Sequence, residues 1–188
     1  MATLRPLALP SDQVSLERLD LSFISHAMYL VERLPNGFAL VERPSSPPLE
    51  NRYQIDWAEL TSAAFAIVAE HAGHLVGIGA LTITEWNRRA TLAHLYVDRA
   101  SRGKGVGTQL LEALASEAQR RNLRALWVET QNVNVSAIAF YRAHGFKLCG
   151  LDTSLYDPDL APGETAIYFV RALEDSRHQT LTAGAPAV

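Results

Sequence analysis

The chain is short of the features that would place it in several common classes. A single cysteine, Cys149, occurs in 188 residues, so no intrachain disulfide can form, and a reducing compartment fits. On its own in an apolar stretch, that thiol reads as a small buried strand residue. The six histidines show no metal-ligand spacing. His71 and His74 lack a third ligand in register, so no metal site is expected. Basic charge is not in excess: 17 Lys and Arg against 20 Asp and Glu give a formal charge of −3, which argues against a nucleic-acid partner. Neither a membrane-length apolar run nor an apolar signal core follows the opening MATLRPLALPSD, so a cytoplasmic protein with no membrane partner is expected. Repeats and a second-domain linker are missing too. One domain over residues 1–173 is expected, with a disordered polar tail over 174–188.

What is present centres on the stretch LYVDRASRGKGVGTQLL, Leu95 to Leu111. Leu95, Tyr96 and Val97 end a strand; Gly103, Gly105 and Gly107 alternate; Val106 and Thr108 open an amphipathic run. A glycine loop lets backbone N–H groups approach a ligand closely, and the unpaired N–H groups of the helix start add partial positive charge. Such a loop suits a phosphate, with Arg102 and Lys104 as side-chain cations beside it. The spacing departs from G-x-G-x-x-G, and G-x-x-x-x-G-K-[ST] finds no match, so both nucleotide fingerprints weaken. A bare connecting turn is the competing reading of the glycines alone.

Periodicity and punctuation give the remaining elements. Thr3 to Leu9 is a strand, and Ser11 caps a helix over Asp12 to Asp20. Ala27 to Leu34 and Gly37 to Arg43 form a hairpin, which Pro44 to Pro48 breaks as a loop. Glu50 to Ser62 reads as either loop or short helix. Phe65 to His71, Leu75 to Thr84 and Ala90 to Val97 form a meander through turns at Ala72-Gly73 and Trp86-Asn87. Then follow a helix over Val106 to Asn122, a strand over Leu126 to Glu129, a helix over Val135 to His144 ended by Gly145, and strands over Phe146 to Cys149 and Thr165 to Arg171. A mixed α/β sheet with helices on both faces is implied.

With Arg102 included, the loop reads R-x-x-G-x-G and resembles the acetyl-CoA pyrophosphate loop of the GNAT superfamily of N-acetyltransferases. Asn134, Ala137, Phe140, Tyr141, Gly145 and Phe146 match that superfamily's N-x-x-A-x-x-F-Y-x-x-x-G-F segment. Gly37-Phe38-Ala39-Leu40, Trp86-Asn87-Arg88-Arg89, Glu129-Thr130-Gln131 and Gly150 to Asp157 resemble the streptothricin (nourseothricin) acetyltransferases, over about Leu34 to Val170. The resemblance implies an α/β (α+β) fold whose mixed, mostly antiparallel central sheet splays at the acetyl-CoA site. The reaction implied is acetyl transfer from acetyl-CoA to a primary amine of a small molecule, with no metal, in a monomer or homodimer.

Roles follow from the same resemblance. Pantetheine is expected along the backbone of Leu95, Tyr96 and Val97, with the pyrophosphate over Arg102, Gly103, Lys104, Gly105, Val106, Gly107 and Thr108. Asn134 is expected on the pantetheine arm. Tyr141 is expected to give the departing thiolate its proton, since a phenol is protonated at neutral pH. Trp86, Asp152, Tyr156 and Asp157 are the candidate acceptor contacts. The streptothricin enzymes carry acidic residues where this chain has Ala93 and His94, which leaves His94 as the candidate base. They also have a dense acidic stretch where this chain has only Glu50, Asp56 and Glu59. Two alternatives stay open: acetylation of a protein N-terminus or lysine, and a non-catalytic acetyl-CoA sensor.

Overall fold

The computed structural model describes residues 2–173. Its elements in chain order are β1 (Thr3–Pro6), α1 (Gln13–Glu17), β2 (Ser22–Leu34), β3 (Gly37–Arg52), α2 (Trp57–Thr61), β4 (Phe65–His71) and β5 (His74–Thr84). After a short 3-10 turn over Glu85–Asn87 come β6 (Arg89–Val97), a second such turn over Arg99–Ser101, α3 (Val106–Arg120), β7 (Ala125–Gln131), α4 (Val135–Ala143), β8 (Lys147–Asp152) and β9 (Ala166–Ala172). The expected tail over 174–188 lies outside the described residues.

The chain divides into two compact units. Of the described residues, the first takes 2–21, 54–127 and 172–173. Its strands run β1-β4-β5-β6-β7, antiparallel up to β6, and β7 then pairs parallel to β6 over Arg89↔Ala125, Ala90↔Leu126 and Thr91↔Trp127. β6 continues past Thr91 to Val97. The β5–β6 register slips between Ala80↔His94 and Leu81↔Leu92, so Ala93 is the extra residue of a bulge. One face of this sheet carries α3: a Cβ on Gly79 would come within 2.7 Å of Leu114 Cδ1, and one on Gly77 within 2.8 Å of the Tyr96 carbonyl and 3.1 Å of Leu110. Leu110, Leu111, Leu114 and Ala118 are buried on that helix, following its apolar stripe. Leu95 pairs with Gly79, so His94, the next residue along, points to the opposite face, where Glu59 of α2 meets its ring. Helices therefore cover both faces.

The second unit takes residues 22–53 and 128–171. It holds the β2–β3 ribbon and the order β7-β9-β8, with β8 and β9 antiparallel. Asn132 clamps it together. Its N–H donates to the Thr165 carbonyl at 3.0 Å, its Oδ1 accepts from the Thr165 N–H at 2.8 Å, and its Nδ2 donates to the Tyr29 carbonyl at 2.9 Å, while its carbonyl accepts from the Tyr29 N–H at 3.0 Å. Four bonds to one buried residue tie β2 and β9 to the end of β7.

Several expected boundaries move. β1 stops at Pro6, and the first helix is only Gln13–Glu17. Ser11 does not cap it: its hydroxyl donates to Ala8, and Asp12 occupies the N-cap with its carboxylate committed to Arg5 and to the Ala8 N–H. The helix cannot reach Asp20, because Asp98 accepts the Asp20 N–H and the Arg99 N–H takes the Asp20 carbonyl. Tertiary bonds override the helical pattern. The proline segment does not end the hairpin either. β3 runs on to Arg52, paired Ala27↔Pro44 and again Ser25↔Leu49, with Ser45 to Pro48 in the register shift between. Proline has no N–H for a ladder, so the prolines between those pairs sit outside it. Glu50 to Ser62 resolves into the end of β3 and α2, whose N-cap Asp56 accepts the Glu59 N–H. Cys149 is exposed on β8 rather than buried.

Candidate functional site

In the first unit, β6 delivers the chain through Arg99–Ser101 into the glycine loop. Gly103 at φ +73° and Gly105 at φ +80° are left-handed, and Gly105 is the N-cap of α3. Only residues without a Cβ take that conformation at no cost. Gly107 belongs instead to the first turn of the helix. Open space lies where Cβ atoms at 103 and 105 would project. Arg102 Nε donates to the Val97 carbonyl at 3.0 Å, and Lys104 Nζ donates to the Ala100 carbonyl at 2.8 Å, which folds both cations onto the loop. A 15-residue helix thus begins with a cleared cradle and two cations at its positive end, a fit for a pyrophosphate. Leu95, Tyr96 and Val97 lead straight into it, and Val106 and Thr108 lie in its first turn.

His94 lies on the same strand, 2 % exposed, with its ring against the Asp56 backbone and its Nε2 3.7 Å from Glu59 Oε2. Burial pushes its pKa down, while the backbone and charge of Asp56 pull partly the other way. Trp86 is not brought to the glycine loop. It is 87 % exposed in the turn before β6, whereas the loop follows the other end of that strand.

The second unit holds the remaining candidates. Asn134 caps α4: its Oδ1 accepts from the Ala137 N–H at 3.0 Å and from Ser136, and its Nδ2 donates to Tyr53 Oη at 2.9 Å. Tyr141, on the same helix, is buried with its ring centroid 5.6 Å from Phe140, 5.4 Å from Phe146 and 6.5 Å from Phe169. Asp152 and Asp157 each turn back on their own loop. Asp152 Oδ1 accepts from the Ser154 N–H and hydroxyl, which lowers its pKa, and Asp157 Oδ1 accepts from the Asp159 N–H.

Tyr156 leads to residues that the sequence did not single out as a site. Its hydroxyl donates to Glu129 on β7. Burial and the nearby charge of Glu164 raise the Glu129 pKa, although the Tyr156 bond opposes them. Burial raises Glu164 as well, and its Oε1 accepts from Asn51 Nδ2 at 3.4 Å. Tyr53 feels both charges. Burial pushes its phenol up to about 12, with Asn134 pulling down and the charges of Glu129 and Glu164 pushing up, and it donates to Gln131. Among the described residues, no Lys, Arg or His forms an ion pair with either glutamate. Both carboxylates are partly buried, and among the described residues neither has a cationic side chain paired with it.

The glycine loop and the helix start that follows it make a geometry suited to an anion at the end of a strand of a mixed sheet. The acetyltransferase (GNAT) family pattern matches residues 28–146, and the chain belongs to that family; it is an N-acetyltransferase. The streptothricin acetyltransferase of Streptomyces lavendulae is 36 % identical over 171 residues, covering 86 % of this chain and 90 % of that protein. Among solved structures, nourseothricin acetyltransferase is similar at a TM-score of 0.84 and 36 % identity, over 92 % of this chain and 99 % of that one. A protein of Bacillus anthracis str. Ames, described as a candidate streptothricin acetyltransferase and solved in complex with acetyl coenzyme A, reaches 0.78 at 26 % identity, with the same coverage.

Proposed function

We propose that the protein uses acetyl-CoA to acetylate a primary amine of a streptothricin-type antibiotic. The observation that carries the choice of acceptor is the Glu129–Glu164 pair. An ammonium group placed there would supply the positive charge that the fold itself does not, and would favour ionisation of both carboxylates. Tyr156, already bonded to Glu129, would hold that carboxylate in place. Because Asp152 and Asp157 are occupied by their own turns, they serve the acceptor by shaping the loop that carries Tyr156.

For the donor, the N–H groups of the Gly103–Gly107 stretch and the α3 N-terminus, with Arg102 and Lys104, would neutralise the pyrophosphate. Acetyl-CoA, when bound, supplies a thioester already activated toward amines. Tyr141 would then protonate the departing sulfur, a role its buried position protects from water.

The test is acetylation of streptothricin by the purified protein, followed by the same assay on Glu129→Gln. A charge-assisted hydrogen bond is worth about 1.5–3 kcal/mol, so the KM for the antibiotic should rise roughly 10- to 100-fold with little change in the KM for acetyl-CoA. Turnover of peptides or protein amines, but not of streptothricin, would reassign the acceptor.

A further inference from the structure

We infer that Asp98 is a positioning residue of the donor site: its carboxylate clasps residues 19–21 to the turn ahead of the glycine loop and so fixes where Arg102 and Lys104 hold their charge. The inference rests on the reading of that loop as the pyrophosphate site. Asp98 stands where β6 ends, one residue past the Gly77↔Val97 pair. Its backbone and carboxylate are both fully engaged. The N–H donates to the Val76 carbonyl at 2.9 Å, and the carbonyl accepts from the Ser101 N–H at 2.8 Å. Oδ1 accepts from the Ala100 N–H at 3.0 Å, which caps the Arg99–Ser101 turn. Oδ2 accepts from the Asp20 N–H at 2.9 Å, 78 positions away in sequence, and the Asp20 carbonyl accepts in return from the Arg99 N–H at 2.9 Å. Leu19 and Leu21, on either side of Asp20, are buried at 6 % and 4 % exposure, so the far end of the clasp is anchored in the core.

The turn matters because both loop cations are tied to it. Arg102 Nε donates to the Val97 carbonyl, just before Asp98, and Lys104 Nζ donates to the Ala100 carbonyl inside the turn. A lone 3-10 turn is a weak element with poor hydrogen-bond geometry. If it unwound, both carbonyls would change direction, and a donor would have to order two long, rotamer-rich side chains as it bound. The clasp holds them in place beforehand.

Residue type fits that task. Two N–H groups from distant parts of the chain need two acceptor oxygens on one short side chain, which a carboxylate has and an asparagine or serine does not. The charge itself is unfavourable there. A carboxylate a few residues before an anion site repels what the site attracts, and among the described residues no Lys, Arg or His forms an ion pair with it. Asp98 therefore serves the site through shape, against its own electrostatics.

Those two effects give Asp98→Asn opposite signs. Removing a negative charge beside an anion site should tighten acetyl-CoA binding, whereas losing one of the two clasp bonds should weaken it. The expected result is a rise in the calorimetric Kd for acetyl-CoA of roughly three- to tenfold, the usual contribution of one hydrogen bond, and a larger rise in Asp98→Ala. With streptothricin as acceptor, the KM for acetyl-CoA should rise in step while kcat at saturating acetyl-CoA stays at the wild-type value; general damage to the fold would lower kcat as well. Equal or tighter binding in Asp98→Asn, or a kcat that falls with the affinity, overturns the assignment. Arg102→Ala separates this from the donor reading: wild-type affinity there overturns that reading and the role of Asp98 with it, while weakened binding in Arg102→Ala beside unchanged binding in Asp98→Asn overturns the role of Asp98 alone. Amide hydrogen exchange of the wild-type protein needs neither ligand nor variant. The Asp20 amide should exchange slowly, and rapid exchange there overturns the clasp.

Discussion

Tyr141 offers the simplest single-residue experiment. Three aromatic rings enclose it, so Tyr141→Phe keeps the packing and removes only the hydroxyl. If the proton for the departing sulfur comes from this group, kcat should fall on the order of 10²–10⁴-fold with acetyl-CoA affinity nearly unchanged. A kcat within threefold of wild type would leave it a packing residue. The placement of Asn134 and Tyr141 on one helix was legible in the sequence, because they fall in a short contiguous pattern. The mutual influence of Glu129 and Glu164 was not, since nothing local marks a glutamate as destined for partial burial near another across an intervening helix and strand. The same applies to Glu59, whose meeting with His94 depends on α2 covering a face of the sheet. Asp56 and Glu59 read in the sequence only as a thin supply of acid.

At the level of elements, the glycine loop was read from sequence nearly as it folds, because conformation there is dictated residue by residue. Gly105 takes φ +80°, with open space beyond its missing Cβ. Gly105→Ala should therefore cost about 1–2 kcal/mol through backbone strain, without a steric clash inside the protein. Its new methyl group would project into the cradle. Calorimetry should show weaker acetyl-CoA binding as well as a lower Tm; unchanged affinity in a folded variant would remove the loop from the donor site. The β4–β5–β6 meander and α3 were equally legible from alternation and apolar spacing. The extents of α1 and β3 were not. One is cut short by Asp98 and Arg99 capturing the backbone of Asp20, and the other is prolonged by pairing with β2 on both sides of its prolines. Both outcomes were decided by bonds between residues distant in sequence.

For the whole molecule, stability should vary with pH in opposite directions at different groups. Glu129 and Glu164 have folded pKa values raised above the ordinary 4.5, so the folded state holds their protons more tightly than the unfolded chain does. Their contribution is full below that value and is lost as pH rises through the raised ones. Asp12 and His94 are lowered, so theirs is lost as pH falls, below 6.5 for the histidine and below 3.8 for the aspartate. Glu129→Gln should consequently melt higher than wild type at pH 7–8, with the gap closing toward pH 4.5. A difference of about 1 kcal/mol would read as roughly 2–4 °C in a chain of this size. Equal melting curves at both ends of that range would contradict the burial cost assigned to the site. The same substitution would then gain stability while losing the antibiotic, a trade made by one carboxylate. The long β2–β3 ribbon bears on solubility. It exposes Leu30, Leu34 and Phe38, and a strand pair with such side chains is a template on which another chain can polymerise. Pro47 and Pro48, set in the interrupted register of β3, offer no N–H to an incoming strand, so the segment that distorts the ribbon also guards it against aggregation.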